Sequence, residues 1–289
     1  MTAESDTNSV KLGVAKPNQE LDILTYDRYW RFGLDLTGTH YAFASNLGSI
    51  MIDVAEFKAA SADFPIVFIT DDLYFPHAVM GLLSHLNLAV NAPGAWQSGL
   101  YQPFRIRLYP FGTLEFDDFE QSSLAAGTAV SEEENMIAAK QKLLAIDATS
   151  PLLVNLQSNA QARPLFNSDG TTTPIVQQAA AMVQDIERRE VDTRQFVAAM
   201  KGNNVFVEKP LRIHFHNGTQ ITLKGFSIIS KRAVKQLSQT AIDRWEKLGY
   251  LSLIKYHWRS HDKWKQMVSL YERRMVRDIR AMQEKKQNV

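Results

Sequence analysis

The segment Leu211-Arg212-Ile213-His214-Phe215-His216-Asn217-Gly218-Thr219-Gln220-Ile221-Thr222-Leu223 decides the fold class. Two alternating apolar and polar runs flank Asn217-Gly218, a pair that tolerates positive φ, so the segment reads as an antiparallel hairpin. Upstream, Phe64-Pro65-Ile66-Val67-Phe68-Ile69 is a short apolar run bounded by Asp63 and Asp71-Asp72, and reads as a buried strand. Val205-Phe206-Val207 reads as another strand. So does Gly99 to Phe111, with Phe104, Ile106 and Leu108 on one face and Arg105 and Arg107 on the other. Thr173 to Met200 has helical spacing through Ile175, Ala179, Met182, Ile186, Phe196 and Met200. A turn at Asp169-Gly170 precedes it, and Pro174 suits a first helical position. Residues 50–60 and 231–248 also read as helices. The fold class is therefore α+β, with antiparallel sheets and packed helices.

The C-terminal region adds a long amphipathic helix. From Lys255 to Gln287 there is neither Gly nor Pro, and Trp264, Met267, Val268, Tyr271, Met275, Ile279 and Met282 recur at steps of three and four. Residues 255–289 carry ten Lys and Arg against four Asp and Glu, a net +6. The whole chain has 32 basic and 31 acidic residues, so the remainder carries −5. Part of that acid sits in 113–134, where Glu115, Asp117, Asp118, Glu120, Glu132, Glu133 and Glu134 occur without a base and read as a solvated surface excursion. Residues 1–25 are polar and aperiodic and read as an extended arm. The expected organisation is an arm over 1–25, an α+β domain over 26–256 that includes the excursion, and a basic helix over 257–289.

Composition excludes several classes. With 289 residues, 45% apolar and 22% charged, the chain is neither wholly disordered nor a fibrous rod. It has no cysteine, which removes a disulfide framework, a thiolate metal site, an iron–sulfur cluster and a Cys nucleophile. The near-neutral balance disfavours a general nucleic-acid binder, leaving only the basic tail as a third, weaker route to nucleic acid. No apolar run approaches the roughly 20 residues of a membrane-spanning helix. The N-terminus shows no Sec-type signal. The expectation is synthesis in the cytoplasm, with a cell-surface layer or a virion as a final location reached by another route.

Chemical signatures are sparse. GxGxxG, GxxxxGK[ST], HExxH and GxSxG are all absent from the sequence. His214 and His216 share a strand face and are weak metal-ligand candidates without a third ligand. His257 and His261, at i and i+4, read better as packing residues than as chelators. Asp71-Asp72 could pair carboxylates for acid–base work, but directly after a buried strand a turn explains them better. Trp96, Tyr101, Phe104, Tyr109 and Phe111 form an aromatic group suited to a core or a ligand groove. No cofactor and no catalytic residue is expected.

Short motifs in a fixed order add more than any one of them. They are Tyr41-Ala42-Phe43-Ala44, Glu56-Phe57-Lys58-Ala59-Ala60 with Phe64-Pro65-Ile66-Val67-Phe68, and Trp96, Tyr101, Pro103 and Tyr109-Pro110-Phe111. There follow Leu165-Phe166-Asn167-Ser168-Asp169-Gly170, Thr193–Phe196, Asn217-Gly218 with Leu223-Lys224-Gly225-Phe226, and Leu248-Gly249-Tyr250-Leu251 with Ser260 and Lys263-Trp264. Over about residues 40–270 this resembles the SapC family of S-layer-associated proteins. The resemblance implies a soluble α+β domain and carries no settled catalytic residues. The N-terminal arm, the acidic excursion and the helix beyond Leu270 depart from it.

The sequence leaves enzymatic activity open while favouring a non-enzymatic structural or assembly component of a surface layer or virus-like particle. Its expected partners are further copies or other subunits, with an acidic surface facing the C-terminal helix. The expected contacts are Trp264, Met267, Tyr271, Arg273, Met275, Arg277 and Ile279. The alternative is a soluble accessory protein that binds a small molecule or peptide in secretion or modification, through the aromatic group and the His214/His216 pair.

Overall fold

The computed structural model describes residues 9–12, 20–38, 40–70, 73–92, 94–116 and 141–287. The Asp71-Asp72 turn, most of the acidic excursion and much of the N-terminal arm lie outside these residues. The strands are β1 (Ser9–Lys11), β2 (Leu21–Ile23), β3 (Phe32–Leu34), β4 (Ser49–Met51), β5 (Ile66–Ile69), β6 (Pro76–Val79) and β7 (Phe111–Phe116). They continue with β8 (Gln141–Asp147), β9 (Leu153–Asn155), β10 (Arg163–Pro164), β11 (Phe206–Glu208), β12 (Leu211–His214), β13 (Gln220–Lys224) and β14 (Phe226–Ile229). The helices are α1 (Tyr26–Tyr29), α2 (Phe57–Ala60), α3 (Phe104–Leu108), α4 (Pro174–Gly202), α5 (Lys231–Lys235), α6 (Gln239–Lys247), α7 (Tyr250–Ser260) and α8 (Lys263–Gln287). The chain forms two compact units. One comprises Met1–Pro17, Thr39–Arg107 and Glu187–Val289, the other Asn18–Gly38 and Leu108–Ile186.

The first unit is built on the antiparallel sheet β11-β14-β5-β6-β4. Its central strand explains the unbroken apolar run, because both of its faces are covered. Ile66 and Phe68 enter one core with Phe57, Phe196, Trp245 and Ile254. Val67 and Ile69 enter a second core with Leu12, Ile213, Leu223 and Met267. Each such side chain contributes roughly 1.5–3 kcal/mol on burial. The hairpin forms as the sequence predicts, with Ile213 opposite Ile221 and Gly218 at φ +82 in the turn. Beside it, β1 pairs in parallel with β13, Val10 opposite Leu223. Gly225, at φ +86, lies so close to Lys11 that a Cβ there would fall 2.9 Å from a side-chain carbon.

The second unit holds two antiparallel sheets, β2-β8-β7 and β10-β3-β9. Asp22 on β2 accepts hydrogen bonds from the Tyr29 hydroxyl at 2.7 Å and from Arg28. Tyr26 meets the edge of Phe166 at 5.5 Å. The turn at Asn167–Gly170 closes with the Asn167 amide donating to the Thr171 carbonyl, Gly170 at φ +85. The Thr173 hydroxyl then donates back to the carbonyl of Pro164, and α4 begins.

Four expectations are corrected. Residues 50–60 do not form one helix. The front of the run pairs with β6, and Asp53, with extended backbone, starts a 3₁₀ turn (Val54–Glu56) that leads into α2. Gly99 to Phe111 is not a strand, because Phe104–Leu108 is a short helix whose Phe104 amide donates to the Glu56 side chain. The 231–248 helix is broken at Ser238, whose hydroxyl accepts from the Ala241 amide and caps α6 anew. The C-terminal helix starts earlier, at Tyr250 after Gly249 in the left-handed region, and breaks after Ser260. There the Ser260 hydroxyl donates to the His257 carbonyl at 2.6 Å and accepts from the Ile66 amide at 2.9 Å. This draws the helix end onto β5.

Candidate functional site

Glu56 organises a buried polar cluster in the first unit. Its Oε2 accepts the Asp53 amide at 3.0 Å, while Oε1 accepts the Tyr101 hydroxyl at 2.9 Å and the Phe104 amide at 2.7 Å. Asp63 accepts the Tyr101 amide at 2.7 Å. The guanidinium groups of Arg107 and Arg189 both stand over the ring of Phe104, at 4.9 and 4.6 Å from its centroid. Arg105 donates to Glu190 at 2.6 Å, and Arg194 donates to the other oxygen of that carboxylate. On α4 the Thr193 hydroxyl accepts the Val54 amide at 3.1 Å. The 97–107 segment is thereby fastened to Asp53–Ala60 and to α4.

Within this cluster Asp53 is only 1% exposed, and its carboxylate oxygens have no hydrogen-bond partner among the described residues. Burial pushes its pKa up to about 6, with the Arg105 charge opposing and the Glu56 carboxylate adding to the rise. A raised carboxyl beside an arginine is the composition of an acid–base site. Here it is sealed: Arg105 spends its terminal nitrogen on Glu190, and its buried Nε, like the Asp53 oxygens, has no hydrogen-bond partner among the described residues. The arrangement fastens the fold.

Buried His257 and partly buried His261 form a second group, ring centroids 4.5 Å apart and edge to face. His257 Nε2 accepts the Ile229 amide at 3.0 Å, and the Trp258 indole donates to the Ile229 carbonyl at 2.8 Å. Burial drives the His257 pKa well below its ordinary range and lowers that of His261 to about 4. Among the described residues no group of three or more His, Asp or Glu is placed to hold a metal. The other imidazole pair also parts company: His214 is exposed, whereas His216 lies in the turn with Nδ1 2.7 Å from Glu272 on α8.

The aromatic group divides as well. Trp96 and Phe104 are buried in the first unit and Phe111 in the second.

The surface of α8 is the remaining candidate. Its first half is covered within its own unit. Trp264 stacks on Phe226 at 6.1 Å, Met267 is 1% exposed, and Tyr271 packs on Phe215 at 5.1 Å. These three expected partner contacts are therefore engaged inside the chain, because their stripe lies on the core beneath β12 and β13. Met275 is half-buried, and beyond it the stripe runs out uncovered, Ile279 at 55% and Met282 at 65% exposed, with Val276 at 49% on the flank. On the opposite flank, Leu270, Arg273, Arg274 and Arg277 line a groove of 460 Å³ with Leu88, Asn91, Gln97 and Ser98. The sequence pointed to Arg273 and Arg277; it gave no signal for the 88–98 wall. Among the described residues no helix is long and apolar enough to cross a membrane.

The SapC family model matches residues 33–267. No curated protein and no solved structure matches the chain. The match ends at Met267, the buried residue at which α8 meets the core, so the exposed half of the helix lies beyond it.

Proposed function

The chain belongs to the SapC family, and on that premise we propose that it is a non-enzymatic component of an assembled layer or particle, joined to further copies of itself through the overhanging half of α8. One observation carries this reading: Ile279 and Met282 continue an apolar stripe past the end of the surface that covers it. From Met275 to Gln287 the overhang is about 18 Å at roughly 1.5 Å per residue. Exposed apolar side chains on a helix are the kind of surface a groove on a partner takes up. The occupant is a second copy on grounds of charge, since residues 255–289 carry +6 and the rest of the same chain −5. Such a contact joins unlike surfaces of two copies, and contacts of that kind propagate into layers, rings or closed shells.

The use of the resemblance-bearing residues supports the same reading. Glu56, Tyr101, Thr193, Gly225, Ser260 and Trp264 each have a structural use already described, as a fastening, a close approach or a packing contact. A second reading, a soluble accessory protein with a small ligand, is favoured by the arginine-lined groove alone.

Light scattering after size exclusion, across a wide concentration range, tests the assembly reading. The wild-type chain should grow in mass with concentration, and less so at high salt. Ile279→Glu with Met282→Glu should remain a monomer. A wild-type mass independent of concentration would overturn the proposal.

A further inference from the structure

We propose that the groove between α8 and the 88–98 segment binds the phosphate group of a small soluble phosphate monoester. The lining carries three arginines, two side-chain amides and a hydroxyl, and no carboxylate. Arg273, Arg274 and Arg277 follow Leu270 at helical steps that put all four on one flank of α8. Two of them are held in place. Arg274 donates to the Val90 carbonyl at 3.0 Å and to Asp278 at 3.3 Å, and Arg273 donates to Ser269 at 3.0 Å. Arg277 Nε stands 3.8 Å from Asp278.

A guanidinium has five N–H donors, so these bonds orient the groups and leave donors for a ligand. Asp278 offsets one of three positive charges, and the net of two matches a dianionic oxyanion better than a single carboxylate. Planar, forked donors also fit phosphate geometry. The groove's other wall is fixed independently. The Gln97 backbone N–H donates to the Ala89 carbonyl and its side-chain amide to the Leu88 carbonyl, and Asn91 accepts the Ala95 amide through its side chain at 3.1 Å. At 460 Å³ the groove falls in the size range of small-molecule sites, and Leu88 and Leu270 offer apolar surface for the carbon body of the ligand. The exposed stripe residues Ile279 and Met282 are not part of the lining, so this inference stands apart from the assembly reading.

Calorimetric titration of the full chain tests it, with inorganic phosphate, glycerol 3-phosphate and glycerol as probes. Glycerol 3-phosphate should bind saturably and more tightly than inorganic phosphate, and glycerol should not bind. Arg273→Gln with Arg277→Gln should weaken the monoester at least tenfold while the circular dichroism spectrum stays unchanged. Ile279→Glu with Met282→Glu should bind as the wild type does. Absence of saturable phosphate binding, or equal binding by the double-arginine variant, would overturn the proposal. So would binding confined to phosphatidylcholine vesicles containing phosphatidic acid, because that would assign the surface to a lipid headgroup.

Discussion

The imidazole of His257 accepts the amide hydrogen of Ile229 through Nε2 at 3.0 Å, in a position closed to solvent. A protonated ring has no lone pair for that bond, so only the neutral form of His257 accepts it.

The first prediction concerns acid. The pKa values of His257 and His261 are both depressed by burial, His261 to about 4. A group of this kind contributes stability that is present above its unfolded value, near 6.5, and is lost as the pH falls. Between about pH 6.5 and 4 His261 should cost about 1.4 kcal/mol per pH unit, and His257 adds a loss of the same sign. Denaturant melts over this range should show a steeper loss for the wild type than for His261→Gln. Identical slopes would contradict the assignment.

Asp53 should act with the opposite sign. Its pKa is raised to about 6, so its relative stabilisation is present below about pH 4 and lost as the pH rises through 6. Measured against the wild type, Asp53→Asn should gain roughly 2–3 kcal/mol between pH 4 and pH 8. Chemical denaturation at the two pH values gives this difference directly, and no change between them would place Asp53 outside the buried cluster.

Glu56 holds two donors of the 97–107 segment, and removing it leaves a buried hydroxyl and a buried amide without an acceptor. Glu56→Ala should cost about 3–5 kcal/mol, and Tyr101→Phe about 1–2 kcal/mol. A loss below about 1 kcal/mol for Glu56→Ala would mean that the segment is fastened by other means.

The two halves of α8 should respond differently to truncation. Trp264→Ala removes a ring stacked on Phe226 and should cost about 3 kcal/mol. Ile279→Ala touches the overhang and should change the dilute monomer by less than about 0.5 kcal/mol. Thermal melts at low protein concentration separate these outcomes, and equal costs would mean that Ile279 is covered.

The legible parts of the fold were those with a single strong local signal. The Asn217-Gly218 hairpin, the Ile66–Ile69 strand and the α4 helix each follow from periodicity or turn chemistry within one stretch. The errors arose where a distant partner overrides the local pattern. The spacing of Phe104, Ile106 and Leu108 reads as a strand, and only the Glu56 carboxylate, 48 positions away, shows why a helix starts there. Likewise the break after Ser260 depends on the Ile66 amide, far upstream. For the candidate surface, the helical stripe was plain in the sequence, but where its cover ends was not. That depends on the lengths of β12 and β13 beneath it. The polar wall of the arginine groove comes from Asn91, Gln97 and Ser98, which carry no motif of their own.

The central claim is that the overhanging half of α8 is covered by another copy of the chain. Hydrogen exchange of residues 275–287, compared at low and high protein concentration, tests this most directly. The account predicts that these amides gain protection as concentration rises while those of α7 stay unchanged, and that Ile279→Glu with Met282→Glu abolishes the gain. Exchange in residues 275–287 that is equally fast at every concentration would contradict it.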